Sequence, residues 1–298
     1  AYPDWIKERA KTDPRFERPD ESPFRAGGNT FDAAAGDLDN DGDLDLLITE
    51  ITHGWAGESS DRTRVLFLEG GVYRERPGWS LDRVPPPPAD GSPNNWNQGD
   101  LYGALADLDN DGWLDVLISS GDYPDDQRLR IWRQVDGALE EATGDWGVDH
   151  DGSQQFALAD FDRDGDLDIV AGQTFNRFTP EQREGRSPGV VLLRNDTEDR
   201  SVIVALRGDG RAVNRGAIGA VATAQVGERT LRRDLAGPGG HAGKQPTAVL
   251  HIGLGEAEAI DRLVITWPDA AGSTQSFEQV APGRYRLTPG GALEPDPR

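Results

Sequence analysis

Three times along its 298 residues the chain repeats one tight pattern of aspartates, and a pattern that dense can only be a loop between regular elements. The copies read FDAAAGDLDNDGDLDLLITE at 31–50, LYGALADLDNDGWLDVLISS at 101–120 and SQQFALADFDRDGDLDIVAGQ at 153–173. Each holds D-x-D-x-D-G-x-x-D: Asp37, Asp39, Asp41, Gly42 and Asp45 in the first, Asp107, Asp109, Asp111, Gly112 and Asp115 in the second, Asp160, Asp162, Asp164, Gly165 and Asp168 in the third. The first aspartates are 70 and 53 residues apart, so the repeating unit tolerates outer loops of different length. Short runs rich in Val, Ile and Leu flank each loop, at 44–48, 114–118 and 167–171, and again downstream at 64–69, 128–132 and 190–194. Runs of this length, bounded by Asp, Asn and Gly, read as strands. Each copy therefore predicts a small antiparallel sheet. Helical signals are confined to 5–10, a short N-terminal helix, and 140–147, a single turn.

Carboxylates at positions 1, 3 and 5 of such a loop converge on one point, glycine at 6 permits the sharp turn, and position 7 adds a backbone carbonyl. That is an all-oxygen cage suited to Ca²⁺ rather than to the smaller, strictly octahedral Mg²⁺. The expected ligand positions are Asp37, Asp39, Asp41, Asp43 and Asp45, then Asp107, Asp109, Asp111, Trp113 and Asp115, then Asp160, Asp162, Asp164, Asp166 and Asp168, with Asp43, Trp113 and Asp166 at position 7. The last aspartate comes at position 9 and a strand follows, where an EF-hand has glutamate at 12 and a helix. About three structural calcium ions are expected, and three would take the formal charge from −22 to −16.

The charge is concentrated where the loops are. Residues 201–298 carry a net +1, which leaves −23 on residues 1–200. An acidic chain of this kind is repelled by phosphate backbones and anionic lipid, so nucleic acid is not an expected partner. No apolar run approaches the roughly 20 residues a membrane-spanning helix needs. Cysteine is absent, which excludes disulfides and thiolate chemistry, and the absence of methionine gives the expectation that an initiator and a leader have been removed.

With their flanking aromatic and small residues (Phe31, Tyr102, Phe156), the three copies resemble the FG-GAP, or VCBS-type, repeat of integrin-like β-propellers. The resemblance covers about 30–200 and implies propeller blades with calcium held between the first two strands. Propellers of that family usually have seven blades, and three are visible here. Three cannot close a ring, which leaves sheet edges and apolar blade faces open. Beyond residue 200 six further strand-like runs follow, with a two-residue hairpin at 226–229, and predict a β-sandwich. The segments 214–220, 251–255 and 261–269 resemble the ASPIC/UnbV domain, which often follows FG-GAP repeats in secreted proteins related to cartilage acidic protein. The expected plan is all-β. It comprises an N-terminal extension 1–30, blades at 31–83, 101–142 and 153–200 with a proline-rich insertion at 84–100, a sandwich at 201–290 and a tail at 291–298.

Other features have plainer explanations. Arg207-Gly208-Asp209 matches an integrin-recognition tripeptide but sits where a turn wants those residues. Asn195-Asp196-Thr197 is a formal glycosylation sequon, and His241 and His251 lack a third clustered metal ligand. No nucleophile–base constellation occurs, and the paired carboxylates that could hydrolyse glycosides are committed to the loops, so an enzyme is not expected. The expected protein is an extracellular, calcium-binding structural protein that self-associates through open blade edges into a ring, tube or filament at the cell surface. The alternative is a monomeric adhesion module that binds glycan or protein through loops around Trp55, Trp79 and Trp96.

Overall fold

The structure, a computed structural model, describes residues 30–53, 62–83, 89, 97–121, 128–237 and 248–296. The expected helix at 5–10, most of the proline-rich insertion, Trp55, Trp96 and His241 lie outside the described residues. Nearly all regular structure is strand. The first blade is β1 (Thr30–Gly36), β2 (Asp45–His53), β3 (Arg64–Glu69) and β4 (Val72–Arg74), and the second is β5 (Asn97–Ala106), β6 (Asp115–Ser120), β7 (Leu129–Val135) and β8 (Ala138–Glu141). Both are antiparallel meanders, and the far ends of β2 and β5 also pair, Ile51 opposite Gly99. The third blade has three strands, β9 (Ser153–Ala159), β10 (Asp168–Gln173) and β11 (Gly189–Leu193). Between β10 and β11 lies a four-residue helix, α1 (Pro180–Arg183), started by a capping box of Thr179 and Gln182. At 140–147 the chain ends β8 and then makes one turn, the Trp146 N–H donating to the Ala142 carbonyl.

Alternation along each strand sends successive side chains to opposite faces, and the blades stack through those faces. Leu47, Val65 and Phe67 of the first blade pack on Val116, Ile118 and Trp132 of the second. The opposite face of the second, Leu117, Leu129 and Ile131, packs on Ile169 and Ala171 of the third. The first strand of each blade is rich in Ala and Gly because neighbouring blades converge there: a Cβ on Gly103 would lie 2.7 Å from Leu47 Cδ2.

The C-terminal sandwich has one sheet ordered β15 (Leu250–Gly255), β12 (Arg200–Leu206), β18 (Gly283–Leu287), β19 (Glu294–Pro295), and another ordered β14 (Arg229–Asp234), β13 (Val221–Val226), β16 (Ile260–Thr266), β17 (Thr274–Val280). All pairs are antiparallel except β12 with β18. Gly227, at φ 58, leads the two-residue hairpin between β13 and β14. The core between the sheets centres on Val202, Ile252, Leu263 and Trp267, whose indole N–H donates to Gln275. A cavity of about 360 Å³ separates the sandwich from the blades, walled by Ala34, Leu105 and Phe156 on one side and Leu250 and His251 on the other.

Candidate metal centre

The three aspartate loops sit between β1 and β2, β5 and β6, and β9 and β10, and they share one backbone conformation. Position 4 is left-handed in each, Asn40 at φ 56, Asn110 at 60 and Arg163 at 66, and the position 6 glycine has φ 95, 91 and 113. Asparagine tolerates the first of these and glycine alone accepts the second readily, so the N-D-G core of the first two copies is a conformational requirement.

Hydrogen bonds within each loop explain the spacing of the acids. The N–H of position 7 donates to the position 5 carboxylate: Asp43 to Asp41 at 2.8 Å, Trp113 to Asp111 at 2.8 Å, Asp166 to Asp164 at 3.1 Å. The position 9 carboxylate is a staple. Oδ2 of Asp45, Asp115 and Asp168 accepts the N–H of Leu38, Leu108 and Phe161, and Oδ1 accepts that of Leu68, Gln134 and Asn195. These buried carboxylates therefore tie the first two loops to the third strand of their own blade and the third loop to Asn195, just past its third strand, a role the sequence pattern did not distinguish from ligation.

Position 1 is arranged differently. Oδ2 of Asp37 and of Asp107 accepts the N–H of Gly42 and Gly112 at 3.1 Å, while Oδ2 of Asp160 accepts from Arg284 at 2.6 Å. Oδ1 of all three is buried and has no hydrogen-bond partner. A buried carboxylate oxygen without a donor is costly, and a hard cation among oxygens removes the cost. Carboxylates of Asp37, Asp39 and Asp45, of Asp107, Asp109 and Asp111, and of Asp160, Asp162 and Asp168 bring oxygens within 4.8 Å of one another. The residues thus fit a calcium ion at each loop. Asp41, Asp43, Asp115, Asp164 and Asp166 stand outside these trios. A fourth, exposed group joins Asp162 and Asp164 to Asp196, which the spacing of the repeat gave no reason to include.

Burial dominates the electrostatics. It lifts the carboxyls of Asp37, Asp45 and Asp166 to about 6 and that of Asp107 to about 7, the last against the pull of the Arg233 guanidinium; Asp115 is also raised. Without a cation, Asp37, Asp45, Asp107 and Asp166 give up their protons at a higher pH than an ordinary carboxyl. Arginines supply part of the compensation: Arg76 lies 2.6 Å from Asp39, Arg133 2.6 Å from Asp109, and Arg194 3.8 Å from Asp162.

The remaining candidates fall into structural roles. Trp79 is buried, stacks edge-on against Phe67 and donates its indole N–H to Gly137, so it offers no surface to a glycan. Asn195 spends its side-chain amide on the Leu108 carbonyl at 2.6 Å. Asp209 caps an exposed turn by accepting from the N–H groups of Arg211 and Val213. His251 is fully buried, its Nε2 against the Gly165 carbonyl, and burial lowers it to about 4. Its Nε2 is given to the backbone of the third loop rather than to a metal.

The sandwich lies directly over the loops. Gly253 N–H donates to Asp107 Oδ2 at 3.1 Å, Gly255 N–H to the Asn110 carbonyl at 2.7 Å, and Arg229 to the Asp111 carbonyl at 2.7 Å. Fold and loops together define an all-β chain of aspartate-loop blades covered on one side by a sandwich. Residues 80–171 match the family model of the FG-GAP-like repeat, and residues 210–293 match that of ASPIC and UnbV. The chain joins these two modules in the expected order. No curated protein matches the sequence. Among similar solved structures is a proposed cell adhesion protein from Bacteroides uniformis, 10% identical, covering 70% of this chain and 98% of its own, with a TM-score of 0.20. No helix among the described residues is long and apolar enough to cross a membrane.

Proposed function

We propose that this protein is an extracellular, calcium-stabilised structural module of the adhesion type, not an enzyme, and that it works as a pair. The observation that carries the calcium reading is the buried, unpartnered Oδ1 of Asp37, Asp107 and Asp160, one in each loop. Sites of this type in extracellular modules bind at about 10⁻⁴–10⁻³ M and fill where calcium is abundant, which favours a location outside the cell. The presence of FG-GAP-like and ASPIC/UnbV modules supports the same location.

Self-association is favoured by the third blade. Phe161, Val190 and Leu192 are 52%, 74% and 53% exposed, whereas Leu38 and Leu108, which follow the first aspartate as Phe161 does, are 0% and 4% exposed in the contacts between blades. This is the face on which a further blade would pack. On the first blade the face that a head-to-tail neighbour would need carries Ile48 and Leu66, which are buried. An open face with no free complement among the described residues pairs with its own copy about a two-fold axis, giving a closed dimer rather than a filament. Light scattering in millimolar Ca²⁺ tests this. The expected mass is twice 32.3 kDa for the unaltered chain and 32.3 kDa for Leu192→Lys. A monomer in the unaltered protein refutes the pairing.

A further inference from the structure

The sandwich does more than cover the loops. It makes the same contact with each of them. The carbonyl of the position 6 glycine accepts a hydrogen bond in every copy from a side-chain donor of the C-terminal domain: Gly42 from Arg232, Gly112 from Arg233 at 3.1 Å, and Gly165 from Ser201 at 2.6 Å and His251 at 3.1 Å. Arg232 and Arg233 come from β14, Ser201 from β12 and His251 from β15, so three strands converge on three equivalent atoms. The loops lie 70 and 53 residues apart and the donors have no common sequence motif. Threefold coincidence on one backbone position is what a surface built to the loops' folded conformation produces.

We propose that these donors are positioning residues for the cation sites: docking of the sandwich and loading of the loops are coupled, each stabilising the other. The inference rests on the calcium reading above. Its physical basis is local. Position 6 lies between the position 5 carboxylate and the position 7 carbonyl, both expected ligands, and its own carbonyl points out to the sandwich. Holding that carbonyl fixes the plane of the peptide whose N–H, at position 7, donates to the position 5 carboxylate, and so orients that ligand and the start of the residue whose own carbonyl is the next one. In the absence of a cation the carboxylates repel one another, the loop relaxes, and the donors lose their acceptors, Arg233 while only 8% exposed. Linkage makes the effect reciprocal, so a donor that gains from a loaded loop must raise that loop's affinity by the same factor.

The test is a calcium chloride titration of the full chain followed by NMR at the amides of Gly42, Gly112 and Gly165, one reporter for each loop, comparing the unaltered protein with Arg232→Gln and Ser201→Ala. Arg232 is half-buried and Ser201 is small, so both variants are expected to keep the fold, checked by the dispersion of the same spectra. Arg232→Gln is expected to weaken the first loop at least five-fold with the third within two-fold. Ser201→Ala is expected to weaken the third about three-fold, His251 remaining in place, with the first unchanged. Removing a positive charge beside Asp37 tightens cation binding by Coulomb attraction alone, so weakening at the first loop is a result that only positioning produces. Tighter binding, unchanged affinities, or an equal loss at all three loops overturns the coupling and leaves the calcium reading standing. No saturable shift in the unaltered protein overturns the calcium reading and the coupling with it.

Discussion

Gly253→Ala tests whether the blades and the sandwich form one unit through the second loop. Strand β15 passes so close to that loop that a Cβ at 253 would lie 2.3 Å from Asp107 Oδ2, 2.5 Å from the Asn110 carbonyl carbon and 2.6 Å from Asn110 Cα. The backbone there is not left-handed, so alanine meets no conformational penalty and the whole effect is contact. Two of the three atoms are main chain and the third is a buried carboxylate, so none can swing aside. To restore ordinary separations β15 must retreat by about 1 Å, which breaks the Gly253 and Gly255 hydrogen bonds to the loop, or the loop must be compressed. Overpacking of this kind costs about 1–3 kcal/mol, and leaving a buried acceptor short of a donor costs about as much. The reduced flexibility of the unfolded alanine chain returns only about 0.4–1 kcal/mol. The net cost is about 1–6 kcal/mol, and at about 2–4 °C per kcal/mol for a domain of this size the melting temperature in millimolar Ca²⁺ is expected to fall by at least about 2 °C and by as much as about 20 °C. Gly144→Ala is the control: it has nothing within 4 Å of its Cβ and no positive φ, and is expected to be neutral. Differential scanning calorimetry of the two variants decides the matter. A Gly253→Ala protein melting within 1 °C of the control shows that the close approach carries no energy and refutes the argument.

Calcium itself is expected to raise the melting point. At 10 mM and a Kd of about 10⁻⁴–10⁻³ M, each filled site adds about 1.4–2.7 kcal/mol, and a melting temperature identical in 10 mM Ca²⁺ and in EGTA refutes the metal sites. The calcium-free protein should respond to pH in the opposite sense to most acidic proteins. The folded pKa of Asp107, about 7, and those of Asp37 and Asp45, about 6, lie above the ordinary carboxyl value of 3.8, so their contribution is fully present below about 4 and is lost as pH rises through 6 to 7. Melting in EGTA at pH 5 and pH 8 should therefore favour pH 5, and the reverse order contradicts the burial argument. Calcium affinity should run the other way, weakening below pH 7 because protons must leave Asp107, Asp37 and Asp45 before the cation enters.

The loops were legible because their chemistry is written at fixed spacing: a cage needs acids at alternate positions and glycine at the turn, and nothing else in a chain of this composition produces that three times. Strands β2, β6 and β10 followed from the apolar runs after the loops, and β13 with β14 from the hairpin at Gly227. What the sequence hid depends on contacts between distant residues. Trp79 belongs to a core completed by Trp132, and its indole is satisfied by Gly137, 58 residues away. Asp196 reaches Asp162 only because β11 returns beside the third loop. Short fourth strands such as β4, three residues with a single half-buried side chain, have too little periodicity to register. The double use of Asp45, Asp115 and Asp168 was invisible because ligand and staple place the same residue at the same position.

One departure from the repeat, arginine for asparagine at position 4 of the third copy, follows from where the blades end. In the first two copies that side chain reaches forward to the next loop. Asn40 donates to the Gly112 carbonyl at 3.4 Å, and Asn110 donates to Asp166 at 2.8 Å and to the Asp199 carbonyl at 3.2 Å. The third copy has no following loop among the described residues. Its position 4 side chain meets the sandwich, where Arg163 donates to the Asp296 carbonyl at 3.3 Å and lies 3.6 Å from its carboxylate. Asparagine is too short for that span. Arginine also places a positive charge opposite an acid, while its left-handed backbone, at φ 66, is one that asparagine tolerates better. The chain accepts a less suitable backbone residue there because its long side chain extends the forward link from loop to loop into the sandwich.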